Sequence, residues 1–179
     1  MGQLSSNRKH IYLLGYRGSG KSTVGRLLAL RLGYPVIDTD TMIETTSGLS
    51  IREIFAQEGE AGFRDREERV LADVAHLPTP SVVALGGGAI LREANQLQIL
   101  QSGRTIWLQG SPQELFARIQ ADMDTAERRP NLSARGGYDE VVEVLAAREP
   151  LYRRLAEKTV ATDGRSPDGI VAEIVDWLN

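Results

Sequence analysis

Residues 15–23 read GYRGSGKST, a run with the composition of a phosphate cradle. Gly15, Gly20, Lys21 and Ser22 satisfy the spacing G-x-x-x-x-G-K-[ST], behind the apolar run at 11–14 and ahead of a helix-period stretch. Glycines let successive backbone N–H groups converge on phosphate oxygens, and the helix start adds partial positive charge. Lys21 is placed to reach the outer phosphates, and the Ser22 hydroxyl suits Mg²⁺. The competing reading is a chance glycine-rich turn, which the strand-before and helix-after context disfavours.

Asp38-Thr39-Asp40 follows a second short apolar run, Val36-Ile37. On a strand, residues two apart share a face, so both carboxylates would point at one spot. Alone, the triplet also fits an Asx turn in which Asp40 caps the next helix. Beside a phosphate loop the pair suits phosphoryl transfer to an alcohol, with one carboxylate near Mg²⁺ and the other accepting the hydroxyl proton. Gly86-Gly87-Gly88 ends a third apolar run and fits either close backbone approach to a ligand or a tight strand-to-helix turn. The run FRDREER at 63–69 carries six charges; Arg64 with Glu67 or Glu68 has the spacing of ordinary helix-face ion pairs. Residues 123–137, MDTAERRPNLSARGG, are polar and arginine-rich without apolar periodicity, as active-site lids often are. From there Arg128 and Arg129 would reach a transferring phosphate. Arg148 stands just before Pro150, where the proline is expected to break a helix and the arginine to meet either a ligand or the helix dipole.

The elements that must hold these groups alternate. Strands are expected at 11–14, 36–37, 82–85, 105–108 and 158–161. Helices are expected from Lys21 to a Gly33 cap, from a Ser50/Glu53 capping box, over a charged stretch ending before Pro78, after Ser111-Pro112, over 141–147, and after Ser166-Pro167. This order predicts an α/β fold, a five-stranded parallel sheet between two helical layers, with ligands beyond the carboxyl ends of the strands.

Composition narrows the chemistry. The 179 residues include 41% hydrophobic and 25% charged side chains, so the chain is expected to fold as one globular domain. It has no cysteine and two histidines, which removes disulfides, thiolate nucleophiles and a histidine zinc cluster. No apolar run approaches the roughly 20 residues of a membrane span, and the first nine residues lack a secretion signal. A net charge of −3 argues against general nucleic-acid binding. The expectation is a cytoplasmic protein with neither nucleic-acid nor membrane partners, and the even spread of charge, which offers no obvious interface, fits a monomer.

Taken together, GYRGSGKST, DTD at 38–40, FRDREE at 63–68, the triple glycine at 86–88, RP at 129–130 and REPLY at 148–152 resemble the shikimate kinase family over nearly the whole chain. The resemblance implies a P-loop kinase of the nucleoside-monophosphate-kinase type that transfers the γ-phosphoryl group of ATP to the 3-hydroxyl of shikimate. It implies that Gly18, Ser19, Gly20, Lys21, Ser22 and Thr23 wrap the ATP phosphates, that Arg129 closes on them from the lid, and that Arg118 lies against adenine. Asp40, Arg64, Gly86, Gly87, Gly88 and Arg148 would hold shikimate, within an acid-binding helical segment at 40–76 and beyond it. Lys21, Asp40 and Arg129 would act in catalysis, with Ser22 and Asp38 serving Mg²⁺. Two departures touch the lid: Asn131 stands where the family usually has leucine, and the stretch from Arg118 to Arg129 is longer than common. The alternatives are a kinase-like ligand sensor and a kinase for another small hydroxy acid such as gluconate.

The lid expectation is directly measurable. Amide hydrogen exchange over 123–137 should slow markedly when nucleotide and shikimate are added. Equal protection with and without ligands would make the segment a fixed loop.

Overall fold

The computed structural model describes residues 9–122 and 136–179. Five parallel strands form one sheet: β1 (His10–Leu14), β2 (Val36–Asp38), β3 (Val82–Ala84), β4 (Gly103–Gln109) and β5 (Lys158–Ala161), in the spatial order β2-β3-β1-β4-β5. The described helices are α1 (Lys21–Leu32), α2 (Thr39–Ser47), α3 (Ile51–His76), α4 (Glu93–Ser102), α5 (Pro112–Ala121), α6 (Gly137–Leu155) and α7 (Pro167–Leu178), with a 3₁₀ turn at Ala89–Leu91. None of them is long and apolar enough to cross a membrane.

The layers follow from strand alternation. Ile11 and Leu13 face one side and pack with Val24 and Leu28 of α1 and Ile170 and Ile174 of α7. Tyr12 and Leu14 face the other side, against Ile43 of α2, Phe63 and Leu71 of α3, Leu145 of α6 and Trp107 of β4. Buried on both faces, β1 is apolar at nearly every position, as a central parallel strand must be.

The chain leaves β1 toward β2 and β3 on one side and then crosses to β4 on the other. The sheet therefore changes winding direction next to β1, which is where α/β sheets bind ligands. The loops after β1, β2 and β3 carry the phosphate-loop run, Asp38 to Asp40, and the three glycines. Topology alone brings them to one end of the molecule.

Local chemistry sets most boundaries as expected. Ser50 and Glu53 form both bonds of a capping box, and the Ser111 and Ser166 hydroxyls cap helices that begin with proline. Gly59 interrupts α3 with φ 69° and ψ −172°, dividing it into the two helical segments read from sequence. Three readings need correction. The helix expected to stop at Pro150 runs through it to Leu155. Arg148, Tyr152 and Leu155 are all buried, and that packing outweighs the lost N–H bond, which costs roughly 3 kcal/mol or more in a helix interior. Helix α4 was not foreseen. In Asp38-Thr39-Asp40, only Asp38 is on the strand; Thr39 and Asp40 already belong to α2, so strand alternation is not what brings the carboxylates together.

The strand end away from the ligand loops yields a stability prediction. His10 is fully buried, and neither ring nitrogen meets a hydrogen-bond partner among the described residues. Burial, reinforced by Lys9, lowers its pKa below the usual 6.5, so the folded ring stays neutral where the unfolded one takes a proton. The unfolded state thus binds more protons, and stability must fall as pH drops below about 6.5. Melting temperature between pH 7 and 5 should fall less steeply in His10→Leu than in the wild type. Parallel slopes would remove His10 from the acid response.

Candidate active site

One cavity of about 350 Å³ opens at the carboxyl end of the sheet. Its lining includes Arg17, Gly18, Gly20, Lys21, Ser22, Thr23, Asp38, Asp40, Gly87 and Arg118. The loops that follow β1, β2 and β3 thus meet at one place.

The phosphate loop is built for anions. Gly18 (φ 78°) and Gly20 (φ 88°) take left-handed backbone conformations that side chains disfavour. A Cβ at Gly18 would also lie 2.9 Å from the Leu115 carbonyl oxygen. Gly20 precedes α1 with no side-chain cap, which leaves the helix's first N–H groups available to phosphate oxygens. The Lys21 ammonium spans the loop, donating to the Tyr16 carbonyl at 2.8 Å and the Ser19 hydroxyl at 3.4 Å. Ser19 itself is buried and stays behind the cavity wall.

Asp38 does two jobs at once. Its Oδ1 accepts from the backbone N–H groups of Asp40 and Thr41, at 3.1 and 3.3 Å, and so caps α2. Its Oδ2 accepts from the Ser22 hydroxyl at 2.6 Å. The cap is therefore Asp38 rather than Asp40, and Asp40 is left on the first turn of α2 as part of the cavity lining. Ser22 and Asp38 present a hydroxyl and a carboxylate side by side, oxygen ligands that suit Mg²⁺. No cluster of three or more His, Cys, Asp or Glu side chains suited to a metal occurs among the described residues.

The triple glycine is buried and lies against the two arginines. A Cβ at Gly88 would fall 2.5 Å from both Nη atoms of Arg64, and one at Gly87 would lie 3.6 Å from Nη1 of Arg148. None of the three glycines has a left-handed φ, so close approach, not turn geometry, explains the glycine at 88. Gly86 is fixed by its N–H donating to the Thr39 hydroxyl at 2.9 Å. Gly87 is fixed by its carbonyl, which accepts from the Tyr152 hydroxyl at 2.6 Å.

Arg64 and Arg148 are each only 7% exposed. Arg64 pairs along its helix, with the buried Glu67 at 2.9 Å and the exposed Glu60 at 3.2 Å. Glu68 instead meets Arg92 at 2.8 Å. Arg148 lies within α6, not at its end, so a dipole role does not apply. Its guanidinium carbon is 5.9 Å from the centre of the Tyr16 ring, close enough for a cation–π contact. Burial raises the Tyr16 phenol pKa, with the nearby Arg17 and Arg148 charges partly opposing it. At the cavity rim, Arg118 donates to the Thr162 carbonyl at 2.9 Å and the Thr162 hydroxyl at 3.1 Å. Arg128, Arg129, Pro130 and Asn131, with all of the expected lid except Gly136 and Gly137, lie outside the described residues.

Sequence reasoning missed Thr39, Tyr152 and the partnership of Arg17 with Glu140. A signal existed for the last: an arginine at a motif position that demands none.

Comparison with known proteins identifies the assembly. A family profile described as shikimate kinase matches residues 17–179. The chain belongs to the shikimate kinase family. The shikimate kinase of Rhodopirellula baltica is 51% identical over 167 residues, covering 93% of this chain and 89% of that one. That of Symbiobacterium thermophilum is 43% identical over 169 residues, covering 94% and 95%. Among solved structures, shikimate kinase from Acinetobacter baumannii in complex with shikimate superposes with a TM-score of 0.88 at 34% identity, covering 96% of this chain and 93% of that one. A gluconokinase from Sinorhizobium meliloti reaches 0.56 at 19% identity over 96% and 92%, which shows a shared fold alone. The family consists of ATP-dependent kinases, and this member has the same P-loop kinase fold.

The contact at Gly88 gives a sharp test. Gly88→Ala should displace the Arg64 guanidinium while the fold survives, because the side chain's far end can move. The KM for the acid substrate should rise roughly tenfold, the loss of about one charge-assisted hydrogen bond, with the KM for ATP little changed. A variant with wild-type kinetics would separate Arg64 from the acid.

Proposed function

We propose that this chain transfers the γ-phosphoryl group of ATP to the 3-hydroxyl of shikimate, with its site residues acting as follows. Gly18, Ser19, Gly20, Lys21, Ser22 and Thr23 bind the ATP phosphates through backbone N–H groups, the helix start and the Lys21 ammonium. Arg118 lies against the adenine. Arg64 and Arg148 grip the shikimate carboxylate beside Gly86, Gly87 and Gly88. Asp40 accepts the hydroxyl proton as the hydroxyl oxygen bonds to the γ-phosphorus and the bond to the ADP oxygen breaks. Arg129, carried on a lid over 123–137, adds positive charge to the transferring group. Mg²⁺, held by Ser22 and Asp38, would neutralise phosphate charge as it shifts onto ADP.

The observation that carries this reading is the apposition of two buried guanidinium groups to Gly88 and Gly87, the second of which lines the same cavity as Lys21 and Asp40. Two planar cations and one carboxylate match a small hydroxylated acid. They offer no aromatic or amide surface for a nucleobase, and the complete set speaks against a sensor that has lost its chemistry. We place the enzyme in the cytoplasm, in keeping with its cysteine-free composition, and take it as a monomer on the family resemblance.

ADP release measured with shikimate, gluconate, nucleoside monophosphates and no acceptor tests the substrate; release that ignores shikimate defeats the reading. Lys21→Ala and Asp40→Asn should each lower turnover by about 100-fold or more with unchanged circular dichroism. Lys21→Ala should also weaken ATP binding, which Asp40→Asn should spare. Arg148→Lys should raise the shikimate KM several-fold, because an ammonium lacks the planar two-pronged contact.

A further inference from the structure

We propose that Glu140 is a positioning residue for the transfer step: through Arg17 it fixes where the phosphate loop stands relative to the acid-binding groups on α6. The inference rests on the assignment of the loop to ATP and of Gly87 and Arg148 to shikimate.

Arg17 occupies a position of the phosphate-loop motif at which any residue is allowed, yet its side chain is only 13% exposed and lines the cavity. Its guanidinium Nη2 donates to Oε1 of Glu140, a carboxylate with no solvent exposure on the first turn of α6. The Arg17 Nε is also buried and meets no acceptor among the described residues. A buried ion pair rarely adds net stability, because desolvating both charges offsets their attraction. Its presence here is better explained by geometry.

Helix α6 touches the site at three points. Glu140 holds Arg17, Nη1 of Arg148 lies at Gly87, and the Tyr152 hydroxyl donates to the Gly87 carbonyl. Because α6 is one continuous helix, the eight residues from Glu140 to Arg148 form a spacer of about 12 Å. The Tyr16 ring carries Arg17 at 5.7 Å and Arg148 at 5.9 Å from its centre. A Cβ at Gly87 would lie 3.6 Å from both the Arg17 backbone nitrogen and Nη1 of Arg148. The loop backbone, Gly87 and Arg148 therefore sit in contact register, and Glu140 is the charge that ties the loop to the helix setting that register.

The reacting oxygen and phosphorus must be held about 3–3.5 Å apart, and a 1 Å misplacement costs on the order of 100-fold in rate. Loosening the tie leaves both half-sites intact but lets them drift apart. The effect belongs in kcat, not in either KM.

The test compares Glu140→Gln with the double variant Arg17→Met/Glu140→Leu, which replaces the buried charges by an apolar pair of similar bulk. Glu140→Gln should lower kcat at least about tenfold with both KM values within about threefold. The double variant should recover melting temperature to within a few degrees, yet keep the low kcat. Should Glu140→Gln fail to fold, the double variant decides alone. Recovery of kcat together with stability, or a Glu140→Gln kcat within threefold of wild type, overturns the proposal. Wild-type ADP release that ignores shikimate would instead overturn the functional assignment, so the two failures are told apart.

Discussion

A site that gathers cations for anionic ligands must hold those cations together before any ligand arrives. Here Arg17, Arg64 and Arg148 are largely buried at or beside the cavity that Lys21 lines. Left alone they would repel one another and lose hydration that nothing replaces. The chain answers with carboxylates placed behind the arginines: Glu67 and Glu60 on Arg64, and Glu140 on Arg17. Glu67 and Glu140 are at most 1% exposed, so their attraction is little screened. Lys21 donates to loop oxygens, the Tyr16 carbonyl and the Ser19 hydroxyl, which a phosphate can displace. Arg64 and Arg17 are thus held in place by their partners before any ligand arrives.

The same constraint explains the division of labour among elements. The sheet supplies position, because its winding reversal beside β1 puts the ends of β1, β2 and β3 together. The helices supply charge. Helix α3 brings Arg64 and its partners, α6 brings Arg148 and Glu140, and α1 brings its N-terminus. Asp38 ties α1 to α2, since one carboxylate caps α2 and receives the Ser22 hydroxyl at the start of α1. Moving either helix start would break one of those bonds.

What the sequence disclosed follows from how local each signal is. The phosphate loop, the capping box and the proline-started helices are short patterns whose physics is complete within a few residues, and they stand where they were read. Arg64 and Arg148 were readable as candidates, but their burial was not, because it depends on α3 and α6 packing against a glycine loop far away in sequence. Pro150 misled because propensity is local, whereas burial of Arg148, Tyr152 and Leu155 on both sides of it is not. Asp38 and Asp40 do both line the cavity, but not through strand alternation. A strand-to-helix junction, invisible to period-two reasoning, puts both on the cavity. Thr39 and Glu140 gave no local signal at all, since each acts on a residue at least 47 positions away.

The triple glycine shows how steric and electrostatic demands become one. At Gly88 there is no room for a methyl group because the Arg64 guanidinium occupies it. At Gly87 a methyl group would meet its neighbours only at ordinary contact distance, 3.5–3.6 Å, so packing alone does not require glycine there. What a Cβ at 87 would cost is space on the cavity wall, where Arg148 and the Arg17 backbone leave a gap one methyl group wide. Two adjacent glycines therefore have different reasons. One makes room for the protein's own cation, and the other keeps open the surface on which a ligand can meet that cation's neighbour. Thr39 and Tyr152 then hold the loop, through the Gly86 N–H and the Gly87 carbonyl, which offsets the backbone freedom that glycine brings.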